Sequence, residues 1–148
     1  MPTKPQQPKS SNSGIVLVTT YVVLVAVNAG MLYWANLLFP QFVVLGTFNI
    51  SLGWAILHSM GTLALIDTFA IPFAREVEIR RKKMLTPKEW MAIYFLINAV
   101  GIWVITRFSE QFGLGISAWY VAVALAGVLD VVQGVVMMQM EKMRMKRA

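Results

Sequence analysis

The chain has 148 residues, of which 57% are hydrophobic and 14% charged, with a formal charge of +6 and no cysteine. So little charge excludes an ordinary soluble domain as the body of the protein. The lack of cysteine excludes disulfides, thiolate metal sites and lipoprotein attachment.

The chain opens on "MPTKPQQPKSSNSG", residues 1–14, a Pro-, Ser- and Gln-rich stretch that reads as a disordered cytoplasmic lead. The apolar run behind it extends well past the ~7–15 residues of a signal-peptide core and ends in no A-x-A site, so it reads as a retained anchor. Four such runs follow one another, 15–39, 50–73, 90–108 and 116–140. A bilayer core about 30 Å thick is crossed by roughly 20 apolar helical residues, so each run is long enough. The fold class is therefore all-α integral membrane, with four transmembrane helices in one domain, 15–140, and a basic tail, 141–148.

Local signals mark the ends of these helices. Pro40 closes the first, and Asn49 in "FNIS" is the expected cap of the second. "TPKEW" supplies a Thr86 hydroxyl, Pro87 at the first helical position and Glu89 at the third, a capping box that starts the third helix. Gly113 and Gly115 break the chain before the fourth. The segment 74–89 is expected to begin as an amphipathic extension of the second helix in the headgroup region. Glu76 with Arg80 and Glu78 with Lys82 are acid-before-base pairs four apart, the favourable order on a helix.

The charge is distributed by side rather than by patch. Twelve of the 13 Lys and Arg residues lie before the first run, between the second and third, or after the fourth, and only Arg107 does not. With four crossings those places share one side, which by the positive-inside rule puts both termini in the cytoplasm and the protein in the bacterial inner (plasma) membrane. Arg75, Arg80, Arg81, Lys82 and Lys83 then set topology and meet anionic inner-leaflet headgroups. This use of the basic charge leaves no case for nucleic acid. Trp34, Trp54, Trp103 and Trp119, with Tyr33 and Tyr120, fall toward the outer helix ends, and Trp90 with Tyr94 toward the inner end of the third, as interfacial anchors do.

One phrase is written twice. "NAGMLYWANLLF" (28–39) and "NAVGIWVITRF" (98–108) each begin Asn-Ala and run through a Trp. Each is followed by an Ile-Ser start, a Trp-led helix and an Asp, Asp67 in one half and Asp130 in the other. Two halves of two crossings each point the same way, so the pattern fits a parallel 2+2 repeat about an axis along the membrane normal.

Polar groups within spanning helices are costly and mark candidate sites. Asp130 lies near the middle of the fourth run and shares a face, in steps of four, with Ala122, Ala126 and Gly134. Small residues let membrane helices approach, so this face is expected to pack against a neighbour and to carry Asp130 with it. Asp67, two turns before Arg75, reads as a carboxylate at headgroup level. His58 reads as a hydrogen-bonding member of a helix interface, with proton relay as the alternative. Asn28 and Asn98 can bond across helices, and pairing with Asp130 or Asp67 would give a polar core, structural in the first reading and an ion or proton path in the second.

No phosphate loop, H-E-x-x-H motif or credible Ser/His/Asp set is present, and a single histidine supports no transition metal. The expectation is a non-enzymatic protein without cofactor or metal. The Asn-Ala helices "NAGMLYWANLLFP" and "NAVGIWVITRF", with "DTFAIP" closing the second helix, resemble the small four-helix bacterial membrane proteins of the phage holin family, superfamily IV. Asp67 stands where that pattern has Asn, Pro72 matches its Pro, and Ile71 departs from its Arg. The resemblance implies membrane permeabilisation by an oligomer. Three functions follow as expectations: a holin-like or scaffolding helix-packing oligomer first, then a small proton- or ion-coupled transporter or channel using Asp130, then an accessory subunit docking a membrane or soluble partner through 75–83.

Overall fold

The computed structural model describes residues 13–147. The expected disordered lead, 1–14, therefore lies outside the described residues except at Ser13 and Gly14, which already belong to the first helix. The elements in order are α1 (Ser13–Leu38), β1 (Val43–Leu45), α2 (Leu52–Arg81), α3 (Pro87–Arg107), α4 (Ser109–Phe112), β2 (Leu114–Ile116) and α5 (Trp119–Arg147). The expected tail 141–148 is not a separate segment, because α5 stays helical to Arg147.

Four helices among the described residues are long and apolar enough to cross a membrane. Between 22% and 33% of their most apolar windows is buried inside the protein, so most of their apolar surface faces outward. A helix that is apolar all round belongs in lipid or a large core, and a chain of this size has no such core. This is the construction of a multi-pass, all-helical membrane protein. Around the bundle the order is α1, α2, α3, α5, with α1 packed chiefly on α2 and α3 chiefly on α5. Helices α2 and α5 stand across a diagonal, and Leu32, Met60, Leu63, Ile102, Ala126 and Leu129 fill the space between the four.

The second helix begins on Ser51, not Asn49. The Ser51 hydroxyl accepts from Trp54 N at 3.4 Å, while the Asn49 backbone N–H is used one turn earlier on Thr47 Oγ1. Pro72 lies inside α2 and can give no N–H to the carbonyl four residues back, yet the helix continues to Arg81. It stops at Lys82, which takes the left-handed conformation at φ 51°. That turn separates Lys82 from the helix surface, so the expected pair with Glu78 does not form. Glu78 Oε1 instead accepts from Leu85 N at 2.8 Å and holds the connection closed. The Glu76–Arg80 pair does form, at 3.1 Å, and Arg81 reaches Glu89 at 3.9 Å. The capping box is complete: Glu89 N donates to Thr86 Oγ1 at 3.3 Å and Thr86 N to Glu89 Oε2 at 2.7 Å.

At the opposite end the two interhelical connections pair as strands. β1 and β2 run antiparallel, with Val43 opposite Ile116, Val44 opposite Gly115 and Leu45 opposite Leu114. Gly46 N to Gly113 O at 2.8 Å and Ser117 N to Phe42 O at 3.0 Å extend the ladder. Ser59 Oγ on α2 donates to Phe112 O at 3.2 Å, and Asn36 Nδ2 on α1 to Val43 O at 2.8 Å, tying the strands down to the helices. Gly113 sits at φ +74° with the Ala55 Cβ only 2.6 Å from where its own Cβ would be, a place open to glycine alone.

Candidate functional site

Each long helix sends one polar side chain to a common point. α1 gives Asn28, α2 Asp67, α3 Asn98 and α5 Gln133, all buried. Gln133 is the hub. Its Nε2 donates to Asn28 Oδ1 at 2.7 Å and to Asp67 Oδ2 at 3.2 Å, and its Oε1 accepts from Asn98 Nδ2 at 3.0 Å. Three atoms of the cluster remain without a partner, Asn28 Nδ2, Asp67 Oδ1 and Asn98 Oδ1. Asn28 lies ten residues before the end of α1 and Asn98 nine before the end of α3. At ~1.5 Å per residue that is roughly 15 Å from the strand end, half the thickness of an apolar bilayer core. Among the described residues no Lys or Arg pairs with Asp67, and its one hydrogen-bond partner is the neutral amide of Gln133.

On the basic side of this cluster the four helices part around a cavity of about 580 Å³. Its wall includes Thr20 from α1, Arg75 from α2, Trp90 and Tyr94 from α3, and Asp130 and Gln133 from α5. Gln133 is thus both the hub of the buried cluster and part of the cavity surface. Trp90 and Tyr94 stack one turn apart, with ring centres 5.8 Å apart and planes at 23°. The remaining wall is apolar, from Leu17, Leu24, Ile71 and Met91 among others. Asp130 forms no ion pair within 4.0 Å among the described residues, with Arg75 or any other base.

The residues singled out from sequence divide three ways. Asn28, Asn98 and Asp67 come together in the cluster. Asp67 is not an exposed headgroup-level carboxylate but is fully buried, paired with Gln133 in the core of the bundle. Asp130 is outside the cluster, on the cavity wall beside it. His58 is remote from both. Its ring is exposed near the strand end, 6.0 Å from Trp54 and 5.1 Å from Phe112, and is not part of a polar helix interface. Ala122 and Ala126 are buried in the bundle, but Gly134 faces the cavity, where an added Cβ would meet nothing within 4 Å. Arg75 lines the cavity, and Arg80, Arg81, Lys82 and Lys83 are exposed at the basic end.

Gln133 escaped the sequence reading because the face was traced in steps of four. Each such step overshoots a full turn by about 40°, so a stripe from Ala122 to Gly134 rotates off the core. A step of seven returns to within about 20°, and Ala126, Leu129 and Gln133 are the residues that stay inside. Among the described residues no three His, Asp or Glu side chains converge as metal ligands do. Comparison with protein-family models, curated proteins and solved structures finds no match to this chain.

Proposed function

We propose that the protein is a small membrane carrier that couples solute movement to a proton or small cation at Asp67. The observation that carries this reading is a carboxyl placed midway through the bundle among neutral amides, with one oxygen unpaired, directly behind a cavity on the basic side. Asparagine would serve a purely structural network without the cost of an ionisable group in lipid. The unpaired set is also uneven, two acceptors against one donor. A proton on Asp67 Oδ1, or a cation between Asp67 Oδ1 and Asn98 Oδ1, supplies what the network lacks. Asp130, on the cavity wall, is then the carboxyl a solute meets first.

The oligomeric, holin-like reading needs a small-residue face free for self-association. Ala122 and Ala126 are spent inside the bundle, which favours the carrier.

The carrier reading includes a parallel repeat of α1–α2 and α3–α5 with both termini in the cytoplasm of a bacterial inner membrane. Asn28 and Asn98 are 70 residues apart, and Asp67 and Gln133 are 66 apart. At the offset of 66, the buried Ala55, Met60, Leu63, Ala64 and Asp67 fall on the buried Val121, Ala126, Leu129, Asp130 and Gln133. That supports equivalence of Asp67 with Gln133, in place of the Asp67–Asp130 match expected from sequence. One half then carries the titratable group and the other its amide counterpart. The basic residues at the termini and the α2–α3 connection support the orientation.

The test uses liposomes that hold the purified protein and a pH dye, given a proton gradient with and without sodium. Wild-type protein is expected to collapse the gradient faster than protein-free liposomes, and Asp67→Asn to return the rate to the protein-free value with an unchanged elution profile. Collapse that survives Asp67→Asn, or release of large dextrans, sinks the proposal and restores the pore.

A further inference from the structure

We infer that the cavity on the basic side is a binding site for a monovalent organic cation with an aromatic, apolar body. This deepens the carrier reading, on which it rests for the fate of the bound solute. Three features of the wall select this chemistry. Asp130 presents a carboxyl without an ion-pair partner among the described residues. The stacked Trp90 and Tyr94 offer π faces, which attract cations and stack on planar rings. Leu17, Leu24, Ile71 and Met91 make most of the rest apolar.

The alternatives fit less well. A bare metal ion would lose its hydration shell against aliphatic walls that offer no replacement. An anion would face the Asp130 carboxyl with only Arg75 in its favour, and Arg75 is exposed. A neutral hydrophobe would leave the Asp130 carboxyl without a partner. The titratable and charged groups that share the cavity wall with Asp130 are Arg75 from α2 and Tyr94 from α3, while α1 contributes only the neutral Thr20 to the polar wall. The volume, about 580 Å³, lies within the ~300–1,000 Å³ usual for sites that enclose an organic molecule.

Two ions of the same shape and opposite charge make the test. Radiolabelled tetraphenylphosphonium and tetraphenylborate are each equilibrated with the purified full-length protein in detergent. The phosphonium is expected to bind one per chain, at least tenfold more tightly than the borate. Asp130→Asn is expected to weaken it tenfold or more, and Trp90→Leu severalfold. Asp130→Glu keeps the charge and most of the binding, while Arg75→Gln leaves the affinity unchanged or raises it. Equal binding of the two ions, or wild-type affinity in Asp130→Asn, overturns the inference. The two proposals fail separately. Asp130-dependent phosphonium binding with a proton leak indifferent to Asp67 supports the site and removes the carrier. An Asp67-dependent leak with no phosphonium binding removes the ligand class and keeps the carrier.

Discussion

The Gln133 amide nitrogen on α5 donates to Asp67 Oδ2 on α2 at 3.2 Å, across the diagonal of the bundle and 66 residues along the chain. The same amide group reaches Asn28 and Asn98, so one side chain joins all four long helices. Removing it strands three partners at once. Interhelical hydrogen bonds in membranes are worth about 0.6 kcal/mol on average and about 1.7 at most, so Gln133→Ala is expected to cost roughly 1–3 kcal/mol. Unfolding of the purified protein by SDS in mixed micelles measures this directly. Gln133→Glu should be worse, since it places a second carboxyl against Asp67 with no base among the partners. An unfolding curve for Gln133→Ala that overlays the wild type means the network is not formed.

The four long apolar helices are legible because apolar run length is a strong signal that needs no tertiary information. The capping box at Thr86 and Glu89 was legible for the same reason, being local. What lay beyond reach depended on other parts of the chain. The apolar run of the second helix ends at 73, before charge begins at Arg75, and the helical extension expected beyond it is present, as far as Arg81. Taking the apolar run 50–73 alone as the spanning part puts Asp67 near its end, at headgroup level, whereas its burial depends on Gln133 from another helix. The stripe of Met60, Leu63, Ala64 and Asp67, spaced three and four apart, carried the correct signal. The strands were invisible because each is three residues long and exists only through its partner about 70 residues away.

Helices α2 and α3 meet at one glycine. A Cβ on Gly101 would lie 2.6 Å from Leu63 Cδ1, and Leu63 is fully buried and cannot swing away freely. Gly101→Ala is therefore expected to cost about 1–3 kcal/mol by overpacking. Leu63→Ala alone should cost about 2–5 kcal/mol by leaving a cavity. The double variant should be more stable than the sum predicts, because the new methyl enters the space the leucine leaves. Strict additivity in the same SDS titration would mean that the two residues do not touch.

Orientation can be read with single cysteines, since the chain has none of its own. Thr47 and Lys83 are both exposed, Thr47 next to the strands and Lys83 at the basic end. In intact bacterial cells, a membrane-impermeant maleimide is expected to label Thr47→Cys at once and Lys83→Cys only after lysis. The reverse pattern would invert the bundle and set aside the cytoplasmic location of the termini. Labelling of both without lysis would mean that the protein does not span as proposed.

The strand pair can be locked. A Cβ on Gly115 would sit 3.9 Å from Val44 Cβ, within the ~3.5–4.5 Å that a disulfide spans. Gly115 does not hold a positive φ, so a cysteine is tolerated there, unlike at Gly46 or Gly113. Val44→Cys with Gly115→Cys is expected to form an intramolecular disulfide under mild oxidation, seen as a mobility shift reversed by reductant. Val43→Cys with Gly115→Cys should not, because neighbouring strand residues point to opposite faces and Val43 is buried. Failure of the first pair with success of the second would shift the strand register by one. The lock also tests the mechanism. If the strand end must part for a solute to leave, oxidation should slow collapse of the proton gradient and reductant should restore it. A locked protein that leaks at the full rate would mean that the two halves do not separate there.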